Sequence, residues 1–151
     1  MPDDVAAHSV KRTLTESIWY PEHSPRKASA EYERVHHHLV YVLNEPCWIC
    51  SIRQSDLPPG EYMETHHWHI EWALVNRIDP ALILADFPDM GTADEPALRK
   101  WLDSEGNMLV LCSRCHRHGL NGIHSITYPA WVAQRWLIGG HDITTAASVA
   151  S

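Results

Sequence analysis

The sequence predicts a small α+β domain stapled by zinc. Three observations carry this: 151 residues with 44% hydrophobic content, two matching C-x-x-C pairs far apart in the chain, and apolar patterns that switch between helical spacing and short extended runs. That length suffices for one core and is short for two ordinary domains. The expected division is a flexible arm over 1–28, a folded zinc domain over 29–142 and a flexible tail over 143–151. No run approaches the about 18 uncharged apolar residues of a membrane span, and Met1-Pro2-Asp3-Asp4 lacks the basic start of a secretory signal. A cytoplasmic protein with no membrane partner is expected. Thiols stay reduced in that compartment, so the four cysteines read as metal ligands before they read as disulfides.

Residues 1–28 mix Pro, Ser and charges without apolar periodicity, with Ile18, Trp19 and Tyr20 as the one candidate anchor. From Ser29 to Leu43, Tyr32, Val35, Leu39, Val40 and Leu43 keep three-four spacing, which predicts a helix ending at Asn44 before Pro46. Tyr62 to Ile70 reads as extended, and Ile70 to Val75 begins a helix that turns Trp68 and Trp72 inward. Asp79 before Pro80 predicts a capped helix through Ala81-Leu82-Ile83-Leu84, and Asp94 predicts a second over Glu95 to Leu102. Together these make 78–106 an acidic helical insertion. Met108 to Leu111 is a short buried strand. A brief helix is expected from Cys115 to Leu120, stopping near Asn121-Gly122, and a last one from Ala130 to Leu137 behind Pro129.

The net charge of -7 argues at first against nucleic acid, because phosphate binding draws on clustered Lys and Arg. Its distribution softens that. Residues 63–106 hold nine acidic and three basic side chains, whereas the chain from Asn107 onward is mildly basic and rich in histidine.

Cys47-Trp-Ile-Cys50 and Cys112-Ser-Arg-Cys115 each let the backbone turn and aim two thiolates at one ion. Two such knuckles make a closed four-sulfur shell that suits zinc by softness and geometry and leaves no position for water. This ion is therefore structural. The 61 residues between the knuckles exceed a simple zinc ribbon, so something is inserted there.

Between the knuckles lies Glu64-Thr-His66-His67-Trp-His69, and Asn107 precedes His116 by nine positions, with His116 directly after Cys115. This arrangement resembles the HNH (ββα-metal, His-Me finger) endonuclease family, in its cysteine-containing branch. The resemblance covers roughly residues 45–124, and its recognisable positions lie at the two ends of that span. It implies a zinc-stapled ββα-metal core with extra helices before, within and after the motif. It implies that His66 and His116 bind a catalytic divalent metal such as Mg2+, Mn2+, Ni2+ or Zn2+, that His67 is the general base, and that Asn107 orients the base's loop. The chemistry suits these residue types: an imidazole titrates near neutral pH, and a cation stabilises charge on the phosphate and the leaving oxygen.

Neighbouring positions have plainer readings. Adjacent His66 and His67 on a strand would face opposite ways, so a bend or bulge is expected to bring them to one site. His69 is the alternative base, or else part of the core. Arg114, Arg117 and His118 are candidates for nucleic-acid contact or for an exposed helix face. His36-His37-His38 reads as a helical face. The 40-residue gap from His67 to Asn107 interrupts the motif, and a basic residue that many relatives carry soon after the last histidine is weaker here.

The expected function is a metal-dependent endonuclease hydrolysing DNA, of phage or mobile-element type. The alternative is a zinc-binding adaptor that keeps the fold and meets a protein partner through its acidic insertion.

Overall fold

The computed structural model describes residues 4–146. Residues 147–151 of the expected tail, and the first three of the arm, lie outside the described part. Two antiparallel strands, β1 (Met63–His67) and β2 (Met108–Cys112), form the only sheet among the described residues. Around them stand α1 (Ala30–His37), α2 (Pro80–Asp86), α3 (Glu95–Leu102), α4 (Ser113–Arg117) and α5 (Ala130–Ala133). The molecule is thus a small α+β fold, as its patterning predicts.

Ser29 caps α1, its hydroxyl accepting from Tyr32 N–H at 2.9 Å, which satisfies one of the donors a helix start leaves open. The helix continues as one π-helical stretch, His38–Val42, and ends at Asn44, whose φ of 50° turns the chain toward the first knuckle. Val35, Leu39 and Val40 are buried while Leu43 is exposed, so the three-four spacing reports the core face as far as Val40.

The strands pair from Met63 opposite Cys112 to His67 opposite Met108. Two more backbone bonds extend the ladder, Ser113 N–H to Tyr62 O and Trp68 N–H to Asn107 O, each at 2.8 Å. The chain therefore leaves β1 and returns to β2 at the same place, and everything between them is looped out. β1 is shorter than the extended run expected to Ile70, because the chain beyond Glu71 coils into a 3₁₀ turn over Trp72–Arg77. Asp79 and Asp94 cap α2 and α3 as predicted, accepting from Ala81 and Ala97 N–H at 2.8 Å each.

Two cores result. Val35, Val40, Ile49, Met63, Leu109, Leu111 and Ile123 pack around the sheet and the cysteines. Ile70, Val75, Met90, Leu98, Trp101 and Leu102 form the other. The looped-out segment thus makes its own apolar centre, which takes in Ile70 and Val75 as well as residues of 78–106. Each large side chain so buried contributes about 1.5–3 kcal/mol.

Two helix boundaries differ from expectation. α4 begins at Ser113 and stops at Arg117, because Cys112 itself serves as N-cap and His118 leaves helical geometry with ψ of 133°. The last helix is α5 alone, succeeded by a 3₁₀ turn over Gln134–Trp136. No helix among the described residues is long and apolar enough to cross a membrane.

Candidate metal centres

The four cysteines meet between the start of α4 and the turn after α1. Cys47 N–H donates to Ile52 O at 2.7 Å and Ser51 N–H to Cys47 O at 2.8 Å, closing the first knuckle, while Trp48 N–H donates to Val110 O at 2.9 Å and ties it to β2. Ser51 takes a positive φ of 65° at this turn. All four sulfurs lie within 4.8 Å of one another. Cys50 and Cys112 Sγ are 3.7 Å apart, against about 3.8 Å for two sulfurs of a zinc tetrahedron with 2.3 Å bonds. Cys47, Cys112 and Cys115 are buried and Cys50 is half-buried. The Cys47 thiol is pushed down because the thiols of Cys112, Cys115 and Cys50 donate to its sulfur, and Cys115 is pushed up by the sulfurs of Cys112, Cys47 and Cys50 around it. Four thiolates cannot share this space without a cation between them. The donor set fits zinc in a closed shell.

A second cluster stands one residue further along α4. The strand alternation of β1 gives Glu64 and His66 one face and Thr65 and His67 the other, and α4 lies over the first. The ligating atoms of His66, His116 and His124 fall within 4.8 Å of one another, and His116 Nε2 is 2.9 Å from His124 Nε2. His116 Nδ1–H donates to Glu64 Oε2 at 2.7 Å, so its tautomer presents the Nε2 lone pair to the cluster. Glu64 is held in turn by Arg117 at 2.7 Å. Burial, then the neighbouring imidazoles, push the His66 pKa down to about 3. His124 is lowered as well, by burial first. Neutral imidazoles are the form that binds a divalent ion, and their softness suits zinc or nickel better than magnesium.

Sequence reasoning missed His124. It lies eight residues beyond His116, past the end of α4 at Arg117, and a reversal of the chain brings it back. Gly122 N–H donates to His118 O at 2.9 Å and Ile123 N–H to Cys115 O at 3.1 Å. A Cβ at Gly122 would sit 2.6 Å from His118 N and 2.9 Å from His116 O, so only glycine lets this turn close.

His67 stays on the opposite strand face. No bulge interrupts the register, so the expected bend is absent. His67 is nonetheless among the residues lining the same cavity as the three imidazoles, a space of about 720 Å³. His67 Nε2 pairs with Asp103 Oδ1 at 2.8 Å, both side chains buried, and Ser29 Oγ donates to the other Asp103 oxygen at 2.5 Å. Burial works against the Asp103 charge, but these two hydrogen bonds outweigh it and hold its pKa below the usual carboxylate range. Asp103 was the second residue missed, because a carboxylate 36 positions from His67 at a helix end carries no spacing signal.

Asn107 is wholly buried. Its Oδ1 accepts from His69 N–H at 2.8 Å and Ile70 N–H at 3.1 Å, and its Nδ2 donates to Ile70 O at 3.0 Å and Leu102 O at 2.9 Å. One side chain thus clamps the loop leaving β1. His69 stacks on Trp68 at 5.2 Å and does not line the cavity.

The remaining candidates separate. Arg117 lines the first cavity with Glu64 as its partner. Arg114 and His118 line a different, smaller one of about 250 Å³ beside Cys50 and Cys115. Of the histidine run, His36 reaches the first cavity and contacts Thr65 Oγ1 at 3.1 Å. No family model, curated protein or solved structure matches the chain.

Proposed function

We propose that this protein is a metal-dependent endonuclease of the HNH type that hydrolyses DNA phosphodiester bonds. The observation that carries the reading is the convergence of His66, His116 and His124 at the junction of two paired strands and a short helix, with His67 on the same cavity.

Each residue has a role in that chemistry. His66, His116 and His124 would hold a divalent ion, which when bound supplies the positive charge that stabilises the attacked phosphate and the leaving oxygen. Glu64 orients His116 through its Nδ1–H. His67 takes the proton from the attacking water. With its Nε2 committed to Asp103, Nδ1 is the atom left to accept, and Asp103 stabilises the imidazolium that forms. Asn107 fixes the backbone on which His67 is carried. The cysteine cluster joins the first knuckle to the end of β2 and to α4 and takes no part in the reaction.

The adaptor reading draws on the acidity of 63–106. Three of the nine carboxylates there, Glu64, Glu71 and Asp103, lie at the cavity or on His67, and Asp79 and Asp94 cap helices. This leaves less of that charge for a partner surface and favours the nuclease. Plasmid cleavage with magnesium, manganese, nickel or zinc, run beside metal analysis, is the test. Cutting with at least one imidazole-preferring ion is expected; an intact, zinc-loaded protein that cuts with none of them would discard the reading.

A further inference from the structure

One wall of the first cavity comes from neither the strands nor α4. Residues 4–28 contain no helix or strand, yet the stretch around Trp19–Ser24 is tied along the 3₁₀ turn at 72–77. Arg77 Nη1 donates to Trp19 O at 2.8 Å, Asn76 Nδ2 to Glu22 O at 2.7 Å and Trp72 Nε1 to Ser24 O at 3.4 Å. Tyr20 OH adds a bond to Glu71 at 3.2 Å. Three of the four acceptors are main-chain carbonyls, so this docking fixes the path of the arm more than its side chains. That path delivers His23 and Arg26, both lining the cavity of the three imidazoles.

The cavity has two arginines, and they are committed differently. Arg117 is held by Glu64. Arg26 lies over the Tyr32 ring, 5.3 Å from its centroid. Stacking occupies the face of a guanidinium and leaves its N–H edge open, and among the described residues Arg26 forms no ion pair. A cavity that also presents Glu64 and Glu71 in a protein of net charge -7 repels a polyanion unless some cation in it is uncommitted.

We propose that Arg26, carried by the docked arm, is the phosphate-binding residue of this site, its guanidinium edge taking the non-bridging oxygens of a nucleic-acid phosphate beside the imidazole cluster. The assignment rests on the nuclease reading. It makes the arm a component of the substrate cleft, and it supplies an uncommitted basic group where Arg117, directly after His116, is held by Glu64.

The experiment measures binding of a labelled DNA duplex to the full zinc-loaded chain with nickel present, as a function of salt, alongside plasmid cleavage by the same preparations. Arg26→Ala is expected to weaken binding about fivefold to tenfold and to reduce the salt slope by about one. Arg26→Lys should restore the slope, which counts charge, and only part of the affinity, which also reflects the planar fork. Metal content of both variants should equal that of the wild type, since Arg26 is exposed and touches no ligand. A wild type that binds and cuts, with Arg26→Ala matching it in affinity and salt slope, overturns the role of the arm and leaves the nuclease reading standing. A wild type that neither binds nor cuts removes both.

Discussion

The two clusters on α4 are adjacent in sequence, Cys115 then His116, and opposite in construction. The sulfur cluster has four donors, three of them buried, and joins knuckles separated by 61 residues. The imidazole cluster has three donors, graded from buried His116 through half-buried His66 to exposed His124, and opens on a cavity. The lesson is that closure decides use: a saturated shell stabilises a fold, and an unsaturated one leaves room for water or a phosphate oxygen.

The contrast can be broken at its strongest point first. Cys112→Ser should abolish zinc binding and the cooperative thermal transition, since structural zinc contributes on the order of 10 kcal/mol and Cys112 has no exposed surface. Retained zinc and an unchanged melting curve would contradict a structural role. His67→Ala should separate chemistry from structure, lowering cleavage by about 10²–10⁴-fold with zinc content unaltered. Equal cleavage by variant and wild type would remove His67 as base. Asn107→Ala should cost about 3 kcal/mol in denaturant unfolding, because it leaves the buried backbone groups of Ile70 and Leu102, and the N–H of His69, without partners. His124→Ala should leave the melting temperature within a few degrees while titration calorimetry loses the second, weaker nickel or zinc site. A variant that still binds two ions per chain would take His124 out of the cluster.

The smallest effect concerns pH. Burial, then the charge of His37, lowers the His36 pKa from its usual 6.5, so below about pH 6.5 the unfolded chain binds a proton that the folded chain refuses. Stability from this group is full above that value and drains as pH falls toward the lowered folded pKa. The melting temperature should decline from pH 7 to pH 5, and His36→Asn should make that decline shallower. An unaltered slope would show that His36 is not a contributor.

How far each feature could be read beforehand depends on how it is encoded. The cysteine cluster was legible because two residues between thiols fix a knuckle wherever it lies. Asp79 and Asp94 were legible because a cap is a local bond. His116 could be named from its offsets to Asn107 and Cys115, and His66 from its place in the His-His pair between the knuckles. His124 could not, since a turn closed through Gly122 leaves no periodic trace. Asp103 was hidden for a related reason: its contact with His67 exists only once the insertion packs on itself through Trp101 and Leu102. The docking of the arm was legible only as the aromatic anchor around Trp19 and Tyr20; its remaining contacts go to carbonyl oxygens that every residue possesses. The helix at α4 starts two residues earlier than expected because a cysteine of the sulfur cluster also serves as its cap.

The distance between the two knuckles has a temporal meaning. During synthesis the segment through His67 emerges with half of the sulfur donors and one imidazole of three, and no arrangement of that portion can assemble either ion site. The second half arrives all at once, because Cys112, Cys115, His116 and His124 lie within thirteen residues. Both centres therefore come into being together and late, after the loop between them has had the opportunity to collapse on its own apolar centre.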